Sequence, residues 1–224
     1  MLLLYVPEGD FFMGSSNQSD PPDEQPRRRI YLDAFWIDQT EISNANYDKC
    51  VKAGNCPAIV SPRPDILEHP DYPVQGVTWT DARTYCEWVG RRLPTEAEWE
   101  KAARGTDGAI FPWGNDSPNR KMANFNRQNG DVMPIASYPA GASPYGALDM
   151  AGNVYEWVQD WYSENYYLLS PSENPTGPES GLTRVLKGGA WNGMAISLRA
   201  ANRFWSFPYR NDFDGFRCAT DVLN

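Results

Sequence analysis

The sequence predicts an α+β fold with two helices, short antiparallel sheets and much ordered loop. Three observations predict it. Helix start and stop signals bracket a few short segments in the first half of the chain. The strand-like pieces are short and irregular. From Gly108 onward Gly, Pro, Asn and Trp recur and no helical period is sustained, so loops must be held by aromatic packing and by ions.

The elements follow in order. Leu3 to Val6, Phe11 to Met13 and Arg29 to Ile37 alternate or are rich in strand formers. Thr40 or Ser43 opens a first helix that Gly54 closes, with Ala45, Tyr47, Cys50 and Val51 near helical spacing. Residues 57–73 hold five prolines and read as ordered loop without helix. A second helix runs from Thr78 to Gly90, with Asp81 near its start. Its apolar face is Ala82, Tyr85, Cys86 and Val89. Thr95-x-x-Glu98 is a capping box that opens a short helix, and Gly105 ends it. No linker or repeat divides the 224 residues, so 1–224 reads as one domain.

Composition narrows the function. A net charge of −9 argues against a nucleic-acid binder, which needs a basic stripe to displace counterions. The one basic cluster, Arg27-Arg28-Arg29, reads as a solvated strand entrance. No apolar run reaches the length of a membrane span, and the N-terminal MLLLYV has no basic leader and is too short for a signal peptide. The chain reads as soluble, its compartment open between cytoplasmic and surface-displayed. Cys50 and Cys56, six apart, are a local disulfide or two thiols. With one His in the chain, a zinc site has no second pair of ligands.

The segment from Arg184 to Thr220 carries the most information. RVLKGGAW is a strand, a Gly-Gly break and an aromatic anchor, and GFRCAT is a closing strand. Between them lie Phe204, Trp205, Phe207, Tyr209 and Phe213, with no Cys or His. Aromatics on both parities force a two-faced strand to expose at least one of them. Large side chains beside Arg and Asn, without reactive groups, fit a binding surface better than a catalytic one.

Six motifs stand in a specific order: FFMGS, RLPTEAEWEKAARG, FPWG, DMAGNVYEW, RVLKGGAW and GFRCA. Together they resemble the formylglycine-generating-enzyme (sulfatase-modifying factor) family along essentially the whole chain. The resemblance implies a variant of the C-type lectin fold. Enzymes of that family carry a copper-binding Cys pair in the loop after the Gly-Gly motif. Here that loop, AWNGMAISLRAAN, has no Cys, so no copper and no catalytic residue are expected. The resemblance also implies a Cys86–Cys218 bridge. A second family bridge would fall at Ala103 and Ala200, where both partners are absent.

Two structural calcium sites are implied as well. One would use Asp149, the Gly152 and Val154 carbonyls and Glu156. The other would use Asn124, the Phe125 carbonyl and Asp131.

The C-terminal pattern GG-A-W…R-x-A-x-R…GFR is similar to that of variable proteins of diversity-generating retroelements, which share this domain. That resemblance implies a non-catalytic surface that contacts a protein or other macromolecular ligand. The expected contact residues are Asn192, Gly193, Met194, Ile196, Phe204, Trp205, Phe207, Tyr209, Asn211 and Phe213. Leu198, Arg199, Arg203, Pro208 and Arg210 would be scaffold, with Trp157 and Trp191 beneath. The alternatives are an oxidoreductase of the same type with altered chemistry, or an accessory domain of a kinase. Neither the Glu-Pro-Asn nor the Gln-Pro-Asp triplet of sugar-binding lectins occurs.

Overall fold

The computed structural model describes residues 1–59, 64–209 and 214–221. Strand β1 (Leu3–Val6) opens the chain, and β2 (Gly9–Met13) pairs antiparallel with β3 (Arg28–Leu32). Phe11, Met13, Ile30 and Leu32 point inward at the two-residue period of a half-buried hairpin. The expected strand over 29–37 is two strands. The break falls at Asp33–Ala34, where the Asp33 N–H leaves the ladder for Asn174 Oδ1 (2.9 Å). The second piece, β4 (Phe35–Asp38), joins a different sheet.

Helix α1 (Asn44–Lys52) starts at Ser43, the second of the two expected caps, whose side chain accepts from the Asn46 N–H. A single turn, α2 (Pro64–Leu67), interrupts 57–73, which was expected to be free of helix. A proline is compatible with a first helical turn, since it gives up no bonded N–H there. Helix α3 (Trp79–Trp88) and helix α4 (Glu96–Arg104) both start on capping boxes, Thr78 with Asp81 and Thr95 with Glu98. Gly105 closes α4 at φ +72°. A last turn, α5 (Tyr166–Leu169), follows β5 (Tyr155–Trp161). The described residues thus hold three longer helices, at the three segments with helix start signals, and two single turns, where the fold class had counted two helices.

β5 is the spine of a four-stranded sheet. Its neighbours are β6 (Arg184–Lys187) and β8 (Asp214–Phe216), and β7 (Phe204–Ser206) lies at the outer edge beyond β6. The β5–β8 pairing is parallel, where only antiparallel sheets were expected. A third sheet sets β4 between β1 and β9 (Ala219–Thr220).

Alternation along β5 and β6 divides the core. Val158 and Val185 pack with the hairpin and α4, and Trp157 and Leu186 pack with α1, α3 and Phe216. Disulfides join Cys50 to Cys56 and Cys86 to Cys218, so the first pair is a bridge rather than two thiols. Ala103 and Ala200 are both fully buried in the first half of the core. Among the described residues no helix is long and apolar enough to cross a membrane.

Candidate functional site

The site is built from the turn that follows β6. Gly188 and Gly189 both take positive φ, at +90° and +77°, a conformation that favours glycine. The turn is fastened to the DMAGNVYEW segment, because Gly152 N–H donates to the Gly188 carbonyl (2.8 Å) and Trp191 N–H to the Asn153 carbonyl (2.9 Å). A second loop supports it from outside. Asn126 N–H donates to the Gly193 carbonyl and Arg127 N–H to the Trp191 carbonyl, each at 2.8 Å. Gly152 permits this closeness: a Cβ there would lie 2.2 Å from the Asn124 carbonyl oxygen.

Beyond the turn the chain alternates between anchors and displayed side chains. Leu198 is buried with Phe111, Phe125 and Ala151. Arg199 runs inward and holds Glu24 with two hydrogen bonds, at 2.6 and 2.7 Å. Arg203 holds Glu96 in the same way, at 2.7 and 3.0 Å. Planar two-point pairing of this kind fixes orientation as well as position. All nine residues of α4 are buried, and its Glu96 and Glu100 also receive Lys187 Nζ, at 3.7 and 3.3 Å.

Outside these anchors the large side chains face solvent. Met194 and Tyr209 are 70% exposed, Ile196 52%, Phe204 48% and Trp205 45%. Asn192, Gly193 and Phe207 are half-buried. Because β7 is a strand, Phe204 and Trp205 leave it on opposite faces. Phe204 stacks on Tyr155 (centroids 4.9 Å apart) and Trp205 leans on Tyr162 (5.9 Å). Phe207 stacks on Tyr209 at 5.3 Å. Trp157 and Trp191 are buried, and Pro208 accepts from the Trp79 N–H. Arg210, Asn211 and Phe213 lie outside the described residues.

Protein donors engage the side chains of both expected calcium sets. Glu156 gives one oxygen to Arg217 Nη2 (2.6 Å) and the other to Arg217 Nε (2.7 Å) and Trp99 Nε1 (2.8 Å). A cation seated on it would meet the guanidinium charge at contact distance. Asp149 accepts from Ala136 N–H at 2.6 Å, and burial pushes its carboxyl up to about 6. In the second set Asn124 Oδ1 accepts from Asn129, the Phe125 carbonyl from Gln128 N–H, and Asp131 Oδ1 from Val132 N–H. Among the described residues no three His, Cys, Asp or Glu side chains converge as a metal group.

Sequence reasoning missed the partners of the anchors. Nothing in the order of residues joins Glu24 to Arg199 across 175 positions. It also missed buried Glu41, which accepts from the Asn153 amide at 3.1 and 3.2 Å. Burial and neighbouring Asp149 push the Glu41 carboxyl well above its usual range.

A family model, the sulfatase-modifying factor enzyme 1-like domain, matches residues 2–222. The chain belongs to this family. The serine/threonine-protein kinase Pkn1 of Chlamydia trachomatis is 38% identical to this sulfatase-modifying-factor domain over 98% of the chain and 38% of the kinase. The chain thus spans less than half the length of that curated relative. The formylglycine-generating enzyme of Bos taurus is 31% identical, covering 99% of this chain and 75% of the enzyme. Among solved structures, PvdO from Pseudomonas aeruginosa superposes with a TM-score of 0.84 at 29% identity, over 98% of this chain and 94% of that one. Treponema denticola variable protein 1 superposes at 0.80 with 22% identity, over 98% and 95%, a likeness of fold. The family contains enzymes, and the fold is the C-type lectin-like fold expected from the motifs.

Proposed function

We propose that this chain is a non-catalytic ligand-binding domain that presents its C-terminal segment to a protein or other macromolecule. One observation carries the reading. Met194, Ile196, Phe204, Trp205 and Tyr209 are exposed on a segment whose Leu198, Arg199 and Arg203 are buried as anchors. Exposed aromatics on a rigid base are the usual raw material of recognition hot spots. The loop that follows Gly189 contains no Cys, and all four Cys of the chain are bridged, which supports recognition over copper-thiolate chemistry. The variation pattern of diversity-generating retroelements supplies the finer reading. Residues 192–197, 204–207, 209 and 211–213 are the positions that vary between copies of the gene, and the anchors stay fixed.

Sequencing the native gene and its neighbourhood tests this. A reverse transcriptase gene and a near-identical template repeat, with differences confined to those positions, is the expected result. Copper-dependent oxygen consumption with a Cys-containing peptide would overturn the binding-only reading. The 38% identity to Pkn1 favours a second reading, in which the same surface serves as the recognition domain of a longer signalling protein. Binding by the displayed side chains is common to both.

A further inference from the structure

A cavity of about 770 Å³ opens beside the first residue of β6, at the opposite end of that strand from the Gly188–Gly189 turn. None of the displayed side chains described above lines it. Its walls include Trp79, Trp161, Arg83, Arg184 and the loop 174–179.

Arg184 is the unusual member. Its guanidinium carbon lies 3.4 Å from the ring centre of Trp161 and 3.6 Å from that of Trp79. The two indoles close both faces of the guanidinium, so hydrogen bonds can form only at its edge. Nη1 donates to the Gln159 carbonyl at 2.5 Å. Nε is buried without a protein acceptor. An unmet buried donor on a charged group is costly, and proteins normally satisfy it.

No carboxylate among the described residues pairs with Arg184, although several are near. Glu98 and Asp221 are committed to Arg92, and Asp33 to the Asn174 amide. Asp160 accepts the Glu96 N–H, and burial together with Glu96 pushes its carboxyl well above the usual range. Arg83 adds a second cation over the same Trp79 ring, at 5.1 Å. Burial, with Arg83 opposing a pull from Asp160, lowers Arg184 to about 10. The cavity therefore sets an apolar indole wall beside Arg83 and the unmet donor of Arg184, and Arg92, Asp33, Glu98, Glu179 and Asp221 line it as well.

We propose that this cavity binds a small carboxylate with an apolar body. The carboxylate would lie side-on against the Nε edge of Arg184, and the body against Trp161. Two parallel charge-assisted bonds in the guanidinium plane are the geometry that carboxylates prefer. Arg83 would strengthen the site without touching the anchors of the display segment.

Nitrogen-15 NMR titration of the unmodified chain with 4-phenylbutyrate tests the proposal, with 4-phenylbutyramide as the uncharged control. The expected result is saturable movement of the Arg184 Nε–H and Trp161 indole signals by the acid, at probe concentrations of about 1–10 mM. The amide should leave the Arg184 signal in place. Arg83→Ala, a change at a half-exposed side chain, should weaken the affinity by at least about fivefold. The proposal fails if neither signal moves, if the amide moves both equally, or if the acid acts with unchanged affinity on Arg83→Ala.

Discussion

Arg203 lies side-on against Glu96, with Nε 2.7 Å from Oε1 and Nη2 3.0 Å from Oε2, and neither side chain reaches solvent. Burial works against the ionised Glu96, but Arg203 and Lys187 outweigh it and hold the carboxyl below its usual range. Arg203→Ala leaves a charged carboxylate in the core beside Tyr167 and Asp160. The expected loss is about 3–5 kcal/mol of unfolding free energy in a denaturant titration. A loss under about 1 kcal/mol would mean that the pair does not anchor the segment.

The displayed aromatics should behave differently. Trp205→Ala and Tyr209→Ala each remove a side chain that is largely solvated, and stability should change by less than about 1 kcal/mol. Trp157→Ala empties a fully buried site between Val77 and Leu186 and should cost about 3–5 kcal/mol. Equal losses at Trp205 and Trp157 would identify the surface residue as core.

Acid should stabilise this fold before it destabilises it. Burial raises the Asp38 and Asp149 carboxyls from 3.8 to about 6. The native state then holds protons that the unfolded chain has released, so their contribution is full below pH 3.8 and lost as pH rises through 6. Between about pH 7.5 and pH 5 each group should add about 1 kcal/mol. The melting temperature should therefore rise on acidification, and Asp149→Asn should reduce the slope. A melting temperature that is flat or falling over this interval contradicts the assignment.

The Cys86–Cys218 bridge closes a separation of 132 residues, against 6 for Cys50–Cys56. Loop-closure entropy assigns about 4–5 kcal/mol to the long bridge and about 2 kcal/mol to the short one. Replacing each pair by Ala should lower stability in that order. The reverse order would show that native-state packing, rather than chain entropy, sets their contributions.

Much of the fold was legible because its signals are local. Thr78 with Asp81 and Thr95 with Glu98 are capping boxes that span three residues, and both start helices as read. The strand over 29–37 was misread because the cause of its break, the Asp33–Asn174 contact, lies 141 residues away. The same holds for α4. Its Glu and Lys positions carry no local sign of their partners, yet they are buried against Arg203, Lys187 and the Pro7 and Gly9 carbonyls. At the site, the motif separated buried Leu198, Arg199 and Arg203 from exposed Met194, Ile196, Phe204, Trp205 and Tyr209, but it gave no sign of the carboxylates that hold the buried pair of arginines. The partner of Glu156 was equally hidden, because Arg217, which takes that carboxylate, lies 61 residues away.

The sheet that holds β1 and β9 on either side of β4 has a consequence for architecture. Leu3 sits opposite Asp38 and Ala219 opposite Ile37, so the two outer strands flank one end of the same central strand. Two strand spacings separate them, about 10 Å. A longer polypeptide that entered at Leu3 and left after Thr220 would be interrupted by a gap no wider than a helix. The body would hang from it as a side lobe, so that insertion into a host protein need not pull that host's own halves apart.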